Sequence, residues 1–125
     1  MALGARGEGH IELLDENGNV IETVPILFTN RAIAEAERLT GKSIFQLLNA
    51  VRQDAVGIGE VAQLLAVGME AARREAQSGS RSLTINDAYR VMDHVGWKAC
   101  AAVVYPALTA VFAYDQQERL SNPPA

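Results

Sequence analysis

Two short β-prone runs flank Asn17-Gly18 near the start of the chain, and beyond Pro25 the sustained apolar patterns repeat at helical period. Asn-Gly between such runs is a strong hairpin signal. A lone hairpin is marginal in water, so this one must pack against the helices that follow or against a partner. The runs are Gly9-His10-Ile11-Glu12-Leu13-Leu14 and Val20-Ile21-Glu22-Thr23-Val24. Two registers compete. A two-residue turn pairs Leu13 with Glu22 and mixes the faces. A three-residue loop with Gly18 in the left-handed region pairs Leu13 with Ile21, gathering Ile11, Leu13, Ile21 and Thr23 on one side. The second register sets Glu12 opposite Glu22, at a cost of at most about 1 kcal/mol on an exposed face. Burying aliphatic side chains is worth ~1.5–3 kcal/mol each, which favours the three-residue loop.

Helical punctuation follows. Thr29 or Asn30 can cap a first helix over 31–39, ended by Gly41. Ser43 and Gln46 form a capping box for a second, with Ile44, Leu47, Leu48 and Val51 at i, i+3, i+4, i+7. After Gly57-Ile58-Gly59, a third helix over 60–77 carries Val61, Leu64, Leu65, Gly68, Met69 and Ala72 on one face. Glu70 and Arg74 share its other face at i, i+4. Thr84 and Asp87 start a fourth helix with Ile85, Ala88, Tyr89, Met92 and Val95 inward, stopped by Gly96. A fifth runs from Trp97 to Gln117. The expectation is a mainly α chain, a hairpin over 9–25 followed by about five helices over 30–118 in one compact bundle. Residues 1–8 form a flexible N-terminus and 119–125 a tail.

Composition narrows the function classes. With 125 residues, 49% of them hydrophobic, the chain can build one real core. Eleven basic residues against fifteen acidic give a net charge of −4, and the hairpin region between 8 and 22 holds five acids and no lysine or arginine. Such a balance disfavours binding to nucleic-acid phosphates. A single cysteine, Cys100, in an apolar run suits a reducing compartment, and the expected location is the cytoplasm. Residues 97–114 approach the length of a bilayer span, but six alanines and Pro106 favour a buried or partner-facing helix.

No constellation supports catalysis. Gly57-Ile58-Gly59-Glu60-Val61-Ala62 fits the dinucleotide spacing G-x-G-x-x-A, but that motif acts after a strand and here follows a segment of helical period. His10, His94 and Cys100 lie in separate elements and make no metal-ligand set. Cys100 in an apolar helix would stay protonated and inert. Glu12 and Glu22 on an exposed hairpin lack the desolvation that separates acid from base. No enzyme, cofactor or metal is expected. Arg73, Arg74 and Arg81 cluster around one loop, where they suit a helix end or, alternatively, phosphate contacts of a helix-turn-helix with the fourth helix as reader. That helix presents Asn86, Asp87, Arg90 and Asp93 outward, and its aspartates oppose a DNA backbone.

The fifth helix is the informative one. Trp97, Ala101, Val104, Leu108, Val111 and Phe112 suit a core. The opposite side carries Ala99, Ala102, Pro106, Ala110 and Ala113, all small where a solvated helix would show charges. Either this helix is central within the domain or a second chain packs on it; Ala102, Pro106, Ala110 and Ala113 are the candidate partner-binding residues.

The order of elements, with Phe28-Thr29-Asn30-Arg31-Ala32-Ile33-Ala34-Glu35-Ala36-Glu37, Leu39-Thr40-Gly41-Lys42-Ser43-Ile44, Ala66-Val67-Gly68-Met69 and Leu83-Thr84-Ile85-Asn86-Asp87, resembles the tail assembly chaperones of long-tailed bacteriophages, in the form found in gene transfer agents and prophages. The likeness covers roughly 7–118. It implies a non-enzymatic protein of the bacterial cytoplasm that coats the long, aggregation-prone tape measure protein until tail tube subunits polymerise around it. It also implies a protein partner, tape measure or tube subunit, with homo-oligomers possible and nucleic acid or membrane not expected. The competing readings are a DNA-binding regulator of a mobile element and a structural head–tail or tail component.

Overall fold

A computed structural model describes residues 7–77 and 79–121, with side chains through Ala113. Residues 119–121, expected in the tail, belong to the last helix, whereas 122–125 and most of the N-terminus expected to be flexible (1–6) lie outside the described residues. An antiparallel hairpin, β1 (Gly7–Leu14) and β2 (Val20–Phe28), precedes five helices. They are α1 (Asn30–Thr40), α2 (Ile44–Arg52), α3 (Ile58–Glu75), α4 (Ile85–Val95) and α5 (Trp97–Ser121). Local chemistry sets most of the boundaries. The Thr29 hydroxyl accepts the Ala32 N–H at the start of α1, and Gly41 ends it at φ +72°. The Ser43–Gln46 box opens α2 with both of its reciprocal bonds in place. Gly96, at φ +93°, ends α4, and α5 leaves at 118° to it.

The turn is the expected three-residue loop. Gly18 is left-handed at φ +84°, and the Asp15 N–H donates to the Asn19 carbonyl at 2.8 Å. The register of the strands beyond it differs from the expectation. A bulge lies between the Leu14↔Val20 and Leu13↔Glu22 pairs, so Leu13 faces Glu22, not Ile21, and Glu12 faces Thr23. Ile21 turns out to solvent, 60% exposed, and Thr23 with it. One extra residue in one strand shifts every later side chain to the other face. Here the shift brings Val24, Ile26 and Phe28 into the core beside Ile11 and Leu13. It also separates Glu12 from Glu22, whose carboxylate meets Arg90 of α4 through two bonds of 3.2 Å. The hairpin is longer than the 9–25 expected, starting at Gly7 and passing through Pro25 to Phe28.

α3 is the central helix, with Val61, Ala62, Leu64, Leu65, Val67, Gly68 and Met69 buried. It packs on β2, α1, α4 and α5. It starts two residues earlier than expected, with Gly57 as its cap and Gly59 inside its first turn. In α4 the inward face is rotated from the expected one. Asp87, Ala88, Val91 and Met92 are buried, while Ile85 and Tyr89 are 37% and 40% exposed. Asp87 can turn inward because Arg81 neutralises it with two bonds, 2.7 and 3.0 Å. The Thr84 N–H adds a third at 2.8 Å.

Three close approaches favour glycine. A Cβ on Gly68 would lie 3.0 Å from Phe28 Cζ and 3.1 Å from Ile26 Cβ. One on Gly9 would lie 2.9 Å from Val103 Cγ1 of α5, and one on Gly7 would collide with the Ala107 carbonyl. The hairpin thus sits directly against α3 and α5. Gly68→Val forces branched carbons into that contact and should destabilise the fold by about 1–3 kcal/mol or more. Denaturant unfolding checks it, with a midpoint equal to the parent's being the contrary result.

Candidate docking groove on the last helix

α5 buries one side and leaves the other open. Cys100, Val104, Ala107, Leu108 and Val111 are buried against β1 and α3. Ala99, Ala102, Pro106, Ala110 and Ala113 are all exposed, so this helix is not central within the domain and nothing in the chain's described part covers its small-residue side. The open side forms one wall of a groove of about 1260 Å³, and α2 forms the other. Ala102, Pro106 and Ala110 line it; Ala113 lies one turn further on and is not among the lining residues.

Aromatic side chains occupy both ends. Phe45, 62% exposed, meets the edge of Phe112 with ring centroids 5.2 Å apart and planes perpendicular. Trp97 lines the other end, where Lys98 Nζ sits 5.9 Å from the centre of its ring. Phe45 of α2 thus stands opposite Phe112 of α5, and Arg52 and Trp97 both line the groove. Tyr105 forms part of the wall. Burial lifts its phenol to about 12, with the charge of Glu60 adding, and its hydroxyl has no hydrogen-bond partner among the described residues. Pro106 has no N–H to give the Ala102 carbonyl one turn earlier, which leaves that acceptor without its helical donor.

Sequence reading identified the small floor of this groove and missed its aromatic ends. Phe45 had a signal: it falls off the Ile44, Leu47, Leu48, Val51 stripe, where an aromatic side chain has no core to enter. Val51, assigned to that stripe, is itself 44% exposed.

The other candidates are placed apart. His10 lies on β1, 3.8 Å from Glu12, and His94 at the end of α4 contacts the Leu14 carbonyl through Nε2 at 2.9 Å. Cys100 is fully buried, which pushes its thiol up to about 11. Among the described residues no three histidine, cysteine or acidic side chains cluster as metal ligands. The Gly57-Ile58-Gly59 segment follows α2 and no strand, the reverse of the setting that a dinucleotide turn needs.

The three arginines near the 76–84 loop are occupied by the chain's own carboxylates. Glu70 accepts two 2.7 Å bonds from Arg73, one of 3.0 Å from Arg74 and one of 2.9 Å from the Leu83 N–H. Arg81 holds Asp87. A second groove, about 710 Å³, lies between α1, α3 and the start of α4, with Arg31, Glu35, Glu70 and Arg74 mixing charge along it. No single helix among the described residues is long and apolar enough to cross a membrane.

The chain matches no protein-family model, no curated protein and no solved structure.

The Glu70 cluster carries a pH signature. Arg73 chiefly, then the Leu83 N–H and the charge of Arg74, hold the carboxyl at about 2 against partial burial, compared with an ordinary value of 4.5. A depressed carboxylate contributes stability that is complete above its unfolded value and lost as pH falls through the folded one. Glu70→Gln should therefore be less stable than the parent at pH 7, with the gap closing between pH 4.5 and 2. Thermal unfolding across that range checks this; a gap independent of pH would assign Glu70 a packing role only.

Proposed function

We propose that the protein is a non-enzymatic tail assembly chaperone of the gene transfer agent or prophage type, which holds the tape measure protein before the tail tube polymerises. The observation that carries the reading is the exposed groove between α2 and α5, whose floor of Ala102, Pro106 and Ala110 and whose aromatic ends suit an apolar protein client. Small residues let a client backbone approach closely, and aromatic side chains give large contact area at low entropic cost. The resemblance of the segments from Phe28 to Asp87 supplies the biological setting. A holdase also needs a surface that keeps client and chaperone in solution, and the acidic hairpin meets that need.

The DNA-regulator alternative draws on the arginine corner. With Arg73 and Arg74 on Glu70 and Arg81 on Asp87, phosphate contacts there would first have to break bonds the fold already makes. A structural role in the particle would use the same groove as the chaperone, and differs only in whether the protein stays.

Ala110→Glu tests the reading. Its backbone site is exposed, so the variant should fold with unchanged circular dichroism and thermal midpoint. A carboxylate buried without a partner under a bound client costs several kcal/mol, so capture of co-expressed tape measure protein should be lost. Undiminished capture by the folded variant would contradict the assignment of the groove. Retention of the protein in purified tails would favour the structural role.

A further inference from the structure

We infer that the outer edge of β1, from Glu8 to Glu12, takes a third strand from a partner protein, one that carries lysine or arginine at its positions i and i+4. Which backbone groups are open follows from the hairpin itself. In an antiparallel pair the N–H and C=O of one residue point to the same side, and successive residues alternate. The bulge adds its extra residue to β2, so the alternation along β1 is unbroken. Asp15 donates its N–H across the hairpin to the Asn19 carbonyl, which turns the odd-numbered residues of β1 inward. Leu14 points its carbonyl the other way, to His94 Nε2 of α4 at 2.9 Å. His10 faces Pro25, which has no N–H to give, as suits a pair whose groups point outward. Glu8, His10 and Glu12 therefore direct their N–H and C=O groups past the edge, and no described residue bonds them.

All three residues are exposed. The opposite edge of the sheet is closed, because Pro25 lacks a donor at its centre and Leu27 is buried. On β1 the bond to His94 ends the open stretch, leaving Glu8 to Glu12, about 13 Å of strand. Strand addition draws affinity from main-chain bonds and specificity from alternate side chains. Charge identifies the partner. Glu8 meets no cation among the described residues, and Glu12 meets only His10, at 3.8 Å. Their neighbours across the hairpin, Leu27, Pro25 and Thr23, carry no charge. Side chains of an added strand stand directly opposite Glu8 and Glu12, where opposite charges attract and like charges repel. A second copy pairing in register through the same edge would set Glu8 against Glu12 twice. The two acids thus oppose self-pairing while admitting a basic strand. None of these residues lines the α2–α5 groove, so this surface is separate from the one proposed for the client.

The probes are three short, end-blocked peptides of one β-prone sequence. The first carries two lysines four positions apart, and the second two glutamates in their place. The third is the lysine peptide with its backbone amides N-methylated, which keeps the charge and blocks strand pairing. Binding to the full chain is read by NMR titration and amide exchange. The lysine peptide should slow exchange at the Glu8, His10 and Glu12 amides, leave Thr23 unchanged, and bind roughly tenfold tighter than the glutamate peptide at low salt. The N-methylated peptide should give no such protection. The double variant Glu8→Lys, Glu12→Lys, at two exposed positions, should reverse the preference. Equal binding of the lysine and glutamate peptides would overturn the inference, as would undiminished binding of the N-methylated one, which would reduce the contact to charge alone. Slow exchange at the three amides without any peptide would also overturn it. A doubled mass by light scattering would then make a second copy the occupant, and a monomer mass would make it a segment of the chain itself.

Discussion

The packing of β2 onto the glycine of α3 underlies the rest of the fold. Phe28 and Ile26 reach the α3 backbone at Gly68, where a Cβ would lie only 3.0 and 3.1 Å from them and would have to push them back. Once β2 is seated there, β1 lies beside it and Gly7 and Gly9 admit α5 as closely on the other side. A two-stranded sheet with one face on two helices is no longer the marginal hairpin it would be alone. The same seating decides which side of α5 is spent: Val104, Leu108 and Val111 go inward, and the alanine side is left facing out.

Charge is arranged around that core in closed local circuits. Glu70 gathers Arg73, Arg74 and the Leu83 N–H, tying the end of α3 to the entry of α4. Asp87 turns inward under Arg81, and Arg90 clamps Glu22 near the hairpin bulge. Lys42 bonds Glu60, between the α1–α2 turn and the first turn of α3. Outside these circuits stand Arg52 and Lys98, which line the α2–α5 groove, and Arg31, which lines the groove between α1 and α3.

What could be read from the sequence follows from how local each signal is. Thr29, Gly41, the Ser43–Gln46 box and Gly96 mark helix ends through bonds and dihedrals within a few residues, and those boundaries agree with the structure. Most of α5 was equally legible, because the helical period alone separates Val104 from Ala110; Trp97 and Phe112, placed with the core side, line the groove instead. The strand register was not. The turn chemistry was right, but the bulge at Ile21 answers to the fit of Ile26 and Phe28 on α3, a contact some forty residues away in sequence. The α4 face failed for a related reason: Asp87 counts as an outward residue until Arg81 is known to pair with it. Phe45 was visible as an off-stripe aromatic, but its partner Phe112 was assigned to the core, so the groove between them had no sequence pattern of its own.

Oxidative side-chain footprinting of the complex with the tape measure protein tests most directly whether the α2–α5 groove holds the client. Phe45, Trp97 and Phe112 should lose reactivity on binding, while Tyr89, exposed on α4 away from the groove, should keep it. Loss of reactivity at Tyr89 with Phe45 and Trp97 unchanged would place the client elsewhere and contradict the assignment.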